Sequence, residues 1–323
     1  MSRCPSYTHL LVLPRLRVQN ANAISSPLTH GFPAMTAFIG FMWALQRNLH
    51  QMEVTDIRFK AIGVVSHDHQ ELVNDSGYVD SFRLTRNPVG KDGKTAAIVE
   101  EGRIHLEVSL ILAVDGRSLG QDAGRDAELS ARIGEWVQTM RIAGGTLLPS
   151  PRNGRPHLIA MTGDAEGRQH NFCAARMKLL PGFALVARDD LLAGTLEQLR
   201  DTQPDATVLD AWLHRSRRNH RYDEAEGKWV HDREKGSGWV VPIPVGYAGL
   251  TVLQAAGSVA NARDSGTRFR FVESLYSLGQ WISPHRIEHP EQLLWYPDND
   301  ADTYRCRNDF VVPQSSADFD WQS

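Results

Sequence analysis

The sequence predicts an α+β fold with a ferredoxin-like core order, β-α-β-β-α-β, interrupted by long insertions. Three observations carry this. A strand at Leu10–Val18 is followed, after a polar segment, by an apolar helix that ends near His50. Two further strands, Ile57–His67 and Arg103–Val114, enclose a hairpin segment rich in Gly and Lys. A helix over Ala127–Ile142 and later short strands supply the second half of the order.

Each element has a local reason. In Leu10–Val18, Leu11, Leu13, Arg15 and Arg17 fall on one face and Val12, Leu16 and Val18 on the other. Pro14 has no backbone N–H, so this strand lies at an edge or is interrupted there. Pro33 sits at or near the first position of the next helix, where its missing donor costs little. Phe38, Phe41, Met42 and Leu45 form that helix's core stripe. Tyr78–Val114 reads as strand, loop, strand; "RNPVGKDGK" has hairpin-tip chemistry because Gly supplies positive φ. "RIHLEVSLILAV" is the clearest strand in the chain, and "AGG" ends the helix over Ala127–Ile142. Pro149–Asn171 reads as a loop-like insertion. "KLLPGFALVAR" is a short strand, and "DDLLAGTLEQLRD" a helix whose acidic start suits its dipole. His214–Gly238 is highly charged and weakly apolar, and reads as a mobile surface loop. "WVVPIPVGYAGL" and "RFRFVESLYSLGQWISPH" read as strand, Gly-rich loop, strand and helix. The end, about 307–323, reads as a loose tail. No tandem repeat is present, and residues 1–323 are read as a single domain with insertions.

Composition narrows the function. The 323 residues are 41% apolar and 23% charged, ordinary for a globular protein. A net charge of −3 excludes a protein that binds nucleic acid over its whole surface, so any such site is a local patch. Cys4, Cys173 and Cys306 are far apart and form no CxxC pair, which argues against a disulfide framework or a zinc ribbon. "MSRCPSYTH" has no apolar h-region, and no run of about 18 apolar residues occurs. The expectation is a soluble cytoplasmic protein without membrane contact.

No enzyme constellation stands out. "SHDHQE" places His67 and His69 on one face of a strand, but spacing suggests no third metal ligand. There is no GxSxG elbow and no GxxxxGK[ST] loop. Glu100 and Glu101 would point to opposite faces of a strand. Neither a metal nor another cofactor is expected.

Three basic stretches remain. The first joins Arg15 and Arg17 to the run Asn20, Asn22, Ser25, Ser26 and Thr29. The second holds Arg83, Arg86, Asn87, Lys91 and Lys94. The third holds Asn261, Arg263, Arg268 and Arg270. Each places cations beside small polar residues, the chemistry that meets phosphate oxygens and base edges of single-stranded RNA. The competing reading of each is a solvated turn. The first is hardest to dismiss, because amides and hydroxyls rather than Lys and Glu fill it.

The segment "LPRLRVQNANAISSPLTHGFPAMTAFIGFMWALQR" resembles the N-terminal signature of the Csy-two family, the Cas-five-like subunit of type I-F CRISPR surveillance complexes. The likeness continues through "LTRNPVGKDGKTAAIVEEGRIHLEVSL", "MRIAGGTLLP", "LLPGFALVAR", "WVVPIPVGYAGL", "NARDSGTRFRFVESLYSLGQWISPHR" and "LLWY". It is weakest at residues 1–8, 116–135, 150–173, 214–236 and after 307. The resemblance implies an RRM-like core with a projecting β-hairpin thumb at about 78–103. It implies binding of the 5′ handle of a CRISPR RNA, as a non-catalytic subunit of an antiviral ribonucleoprotein. It further implies a heterodimer with the large Csy-one-type subunit, a contact with the Csy-three-type backbone subunit, and proximity of target DNA at the complex tail.

Placed on the matching motifs, Arg15 and Arg17 would neutralise phosphates, and Asn20 and Asn22 would read base edges. Ser25, Ser26 and His30 would line the same loop, and Arg141 would add a cation from "MRIAGGTLLP". Trp281, Trp295 and Tyr296 are candidate partner anchors, with core packing the competing reading. The alternative function is a metal-independent endoribonuclease acting on CRISPR repeat RNA through His30, His67 or His105. A third is a pure protein scaffold.

Overall fold

The computed structural model describes residues 3–77, 79–86, 89, 92–95, 98–149, 154–218, 220–231, 238–262 and 264–312, with only the backbone of 85 and 86. In chain order the first half holds β1 (His9–Asn22), β2 (Ile24–Ser26), β3 (Thr29–His30), α1 (Met35–Gln51), β4 (Ile57–Glu71), β5 (Val73–Asp75), β6 (Asp80–Arg86), β7 (Ile98–Glu101), β8 (Arg103–Gly116) and α2 (Ala123–Gln138). Then come β9 (Arg141–Ile142), β10 (Gly145–Leu148), β11 (His157–Ala160), α3 (Ala165–Met177), β12 (Phe183–Ala187), α4 (Asp189–Thr202) and α5 (Val208–Ser216). The last strands are β13 (His220–Asp223), β14 (Lys228–His231), β15 (Trp239–Gly249), β16 (Val272–Ile282), β17 (Trp295–Asn299) and β18 (Thr303–Asn308).

Among the described residues, eleven strands join one antiparallel sheet, which makes the fold mixed α and β. β8 lies between β1 and β4, and the far edge of β1 is shared by β11 and β10. The chain of strands then closes on itself. β4 pairs with β12 and with β17, and β12, β16, β15, β18 and β17 follow one another back to β4. This six-strand ring is filled by Leu185, Ile243, Val245, Cys306 and Trp295, whose indole N–H donates to the Leu185 carbonyl at 2.8 Å.

Both faces of the central strands are buried. Leu11, Leu13, Phe59, Leu110 and Leu112 pack with α1, through Phe38, Met42 and Leu45, and with Ile133 and Val137 of α2. Leu10, Val12, Val65 and Ala113 pack on the opposite side with Phe172 of α3 and Tyr296. The core stripe of α1 is therefore as its spacing predicts. The helix starts at Met35, with Pro33 two residues earlier rather than at its first position.

Of the two outcomes expected at Pro14, β1 shows the interruption and is not an edge strand; other expectations are corrected. A bulge between Leu13 and Leu16 puts Arg15 at φ 53°, and the partner on that side changes from β11 to β10. The extra residue flips the alternation, so Leu16 and Val18 join the face of Leu11 and Leu13. α2 ends at Gln138. "AGG" is instead the turn of the β9–β10 hairpin, with Ala143 and Gly144 both at positive φ, as a two-residue hairpin turn requires. The insertion at 149–171 contains β11 and the start of α3, capped by Asp164. Residues 214–238 hold the end of α5 and the β13–β14 hairpin; 219 and 232–237 lie outside the described residues. After β16 a 3₁₀ turn at Pro284–Arg286 replaces the expected helix. Residues 307–308 belong to β18 rather than to a tail, and 313–323 lie outside the described residues. Trp295 and Tyr296 are buried in the core, so they are not surface anchors. Trp281 is half-buried.

Candidate nucleic-acid interface

The segment from Arg15 to His30 is held mostly by its own polar groups. The bulge turns Arg15 inward, where its guanidinium pairs with Glu107 at 2.9 Å and donates to the Leu180 carbonyl at 3.2 Å. Arg17 stays exposed beside a cleft of about 180 Å³ that His69 and His105 also border. Asn20 sits at φ 57°, and its backbone N–H donates to Nδ1 of His105 at 3.1 Å. Asn22 closes a local turn: Nδ2 donates to the Ile24 carbonyl at 2.7 Å, and Oδ1 accepts the Ile24 N–H at 3.2 Å. Ser25 and Ser26 each bond the Thr29 hydroxyl at 2.7 Å, which fastens the β2–β3 turn. His30 Nδ1 lies 2.9 Å from a Glu71 carboxylate oxygen, and its ring meets Phe82 edge-on.

Two of these side chains, Asn22 and Ser25, border a concavity of about 580 Å³ that Arg141, Tyr247 and Tyr304 also line. The β9–β10 turn presents Arg141 exposed at the sheet edge. Tyr247 and Tyr304 face each other across β15 and β18. Burial pushes the Tyr304 phenol above its ordinary pKa, so it remains a neutral O–H donor. One cation, two tyrosines, an amide and hydroxyls thus line one hollow. These groups suit a phosphate, a sugar hydroxyl and a stacked ring. Sequence reading misses both tyrosines. The signal that could find them is their cross-strand pairing, which joins residues 57 apart.

The other predicted residues stand elsewhere. β4 and β8 run on, past Leu72 and Gly102, into an arm made of β5, β6 and β7. Arg83 and Lys94 are exposed on this arm, and so is Leu84. The side chain of Arg86, and all of Asn87 and Lys91, lie outside the described residues. Asn261, at φ 59°, and Arg268 are exposed on the excursion between β15 and β16; Arg263 lies outside the described residues. Arg270 of the same basic run is committed to Asp302 at 2.6 Å and to the Ala301 carbonyl at 2.7 Å.

The three candidate histidines are not brought to one point. His30 and His67 border a cavity lined with aromatic rings, whereas His105 borders the cleft beside Arg17. His67 Nδ1 lies 2.7 Å from the Pro181 carbonyl, which only accepts, so Nδ1 carries the proton. Its Nε2 takes a bond at 2.7 Å from the Ser109 hydroxyl, and Ser109 in turn accepts the Arg15 N–H at 3.0 Å. Burial lowers the pKa of this imidazole below its ordinary value. Both ring nitrogens are engaged by the fold, which suits a strut rather than a proton shuttle. Among the described residues no group of three or more His, Cys, Asp or Glu is placed to hold a metal ion. Among them, too, no helix is long and apolar enough to cross a membrane.

The chain matches the family model for CRISPR-associated protein (Cas_Csy2) over residues 11–306. It is similar to CRISPR-associated protein Csy2 of Pseudomonas aeruginosa (strain UCBPP-PA14), being 45% identical over 309 residues, which is 91% of this chain and 92% of that relative.

Proposed function

The chain belongs to the CRISPR-associated Csy2 family, and from that premise we propose that it is the subunit of a type I-F CRISPR surveillance complex that holds the 5′ handle of the guide RNA without cutting it. The observation that carries this reading is the concavity between the β2–β3 turn and the β9–β10 hairpin. It gathers Asn22, Ser25, Arg141, Tyr247 and Tyr304 on a chain whose net charge is −3. A local patch of this kind is what an acidic protein needs to hold RNA in one place. β1–α1–β4–β8–α2–β10 is read as a ferredoxin-like, RRM-like unit. The sheet order β10–β1–β8–β4, with α1 and α2 on one face, supports that reading. The arm of β5–β7 is the thumb, directed at a Csy-three-type backbone subunit, and a Csy-one-type large subunit is the heterodimer partner. The engaged state of His67 supports the non-catalytic reading over the endoribonuclease one.

Coexpression with the genomic neighbours, followed by sequencing of any copurifying RNA, tests the proposal. Repeat-derived RNA with an intact handle is expected. Arg141→Ala should weaken assembly on all handle sequences alike and reduce the salt slope by about 0.7 for one single-strand phosphate contact. Complexes that carry no RNA, or repeat RNA cut by the purified chain with loss in His67→Ala, would overturn it.

A further inference from the structure

A second hollow lies on the other side of the Pro33–Ala34 segment, and Ser25 borders both. It has a volume of about 420 Å³. Its walls are rings from four separate parts of the chain: Phe32, Phe183, Trp239 and Trp281. Trp239 lies 6.0 Å from Trp281 at 46°, and Phe183 meets Trp239 edge-on at 6.1 Å. Trp281 meets Phe32 edge-on at 4.8 Å, and Phe32 stacks on Phe38 of α1. The inner wall is therefore anchored to the core. At the mouth, by contrast, Trp239 is 48% and Phe183 46% exposed. The far rim is polar and acidic. Asp68 and Glu71 border it with His30 and His69, and Glu71 holds His30 at 2.9 Å.

We propose that this aromatic hollow captures one unstacked nucleobase of the bound RNA, which rests on the reading of the chain as a handle-binding subunit. The size falls within the range of small-molecule pockets, and half-exposed rings at its mouth offer faces for stacking. The rim selects which part of a nucleotide enters. Two carboxylates repel phosphate, so the backbone stays outside, toward Arg141 in the neighbouring concavity. The same carboxylates accept hydrogen bonds from exocyclic amino groups. The occupant is thus a base that carries an amino group, adenine, cytosine or guanine, in preference to uracil.

The test is an abasic scan. The complex is assembled from purified subunits on synthetic handle RNAs that lack one base at a time, with the wild-type chain and with Trp239→Ala. Loss of the base at one position should weaken assembly about 5- to 150-fold with the wild type. With Trp239→Ala that position should become silent, and the intact RNA should bind as weakly as the abasic one. The salt slope should not change, because the cations that meet phosphate are all still present. Trp239→Phe should restore sensitivity at that position, and uracil placed there should bind less well than the native base. If RNA binds but no position couples to Trp239, the hollow does not hold a base, and the handle reading stands. If Trp239→Ala breaks subunit association in the absence of RNA, the rings face a protein, and the proposal is wrong. If the wild-type complex binds no handle RNA, both readings fall.

Discussion

The body and the arm of this protein are both rich in polar and basic residues, yet they use them in opposite ways. In the body, Arg15 answers Glu107, Asn22 closes its own turn, and Ser25 and Ser26 fasten Thr29. On the arm, Arg83 is exposed, and Lys94 has only a loose contact with Asp92 at 3.8 Å, both partners lying largely in solvent. The body's polar groups maintain a shape that presents other groups, such as Arg141 and the ring faces. Among the described residues of the arm, Arg83 and Lys94 are exposed, where another molecule can meet them. Residue type alone does not separate these two uses; burial and hydrogen-bond partners do.

The largest effects belong to the closed ring. Gly246 sits where β15 bulges against β16 and pairs on its other side with Arg305 of β18, at φ 157°, and a Cβ there would overlap the Tyr304 carbonyl. A backbone carbonyl in a paired strand cannot swing away. Gly246→Ala should therefore destabilise the protein by about 3 kcal/mol or more, read as a lower urea midpoint. It should also disturb the hollow that Tyr247 and Tyr304 border. A variant with wild-type stability would show that the ring is not tightly closed there.

Next comes the buried side of the comparison. Glu107→Ala leaves the inward-turned Arg15 without its counterion, at a cost of about 2 kcal/mol. Arg15→Met in the same chain should recover part of that loss, because it removes the uncompensated charge. Assembly on RNA should be nearly unchanged per folded molecule. A fall in the salt slope on Arg15→Ala would instead place Arg15 on the RNA and move it to the arm's side of the comparison.

A smaller effect concerns His67. Its folded-state pKa is lowered chiefly by burial, so the unfolded chain binds the proton more readily. The neutral-imidazole contribution is complete above the ordinary histidine pKa of about 6.5. It is lost as the pH falls from there through the folded value. Denaturation midpoints should thus drop between pH 7 and pH 5, and His67→Gln should flatten the drop. His9, also lowered by burial, leaves a residual slope. An unchanged profile in His67→Gln would show that the imidazole is not held neutral by the fold.

The same division explains what can be read from the sequence. α1, β4 and β8 are legible because a single long period of apolar residues fixes each of them. The break at Pro14 is legible from its missing N–H. The flip of faces beyond it is not, since one extra residue in a bulge reverses the positions that follow, here until a second bulge between Val18 and Ala21. Ring closure rests on Phe183 opposite Ser66, a pairing of distant residues that no local pattern announces. Trp295 and Tyr296 look like surface anchors in sequence because the core they fill is assembled from β12, β15 and α3. Of the site, Arg141 and Asn22 are visible from type and neighbourhood. Tyr247, Tyr304, Trp239 and Phe183 are not, because their value lies in which rings meet across strands.

The smallest effect on stability falls on the arm, and it separates the two regions most cleanly. Arg83 and Lys94 are exposed and support little of the fold, so Arg83→Ala with Lys94→Ala should change stability by no more than about 0.5 kcal/mol. If the arm is the thumb that reaches RNA or the backbone subunit, the pair should weaken complex assembly on native and scrambled handles alike. Removing each cation that meets a phosphate should also lower the salt slope by about 0.7. Leu84, 70% exposed on the same arm, provides the discriminating control. Leu84→Ser removes apolar area without touching charge. Weaker assembly with an unchanged salt slope in Leu84→Ser would place a protein subunit against the arm. A loss confined to the cation pair, with a lower slope, would place RNA there. Indifference of assembly to both changes would leave the arm without a partner in the complex and dissolve the contrast with the body.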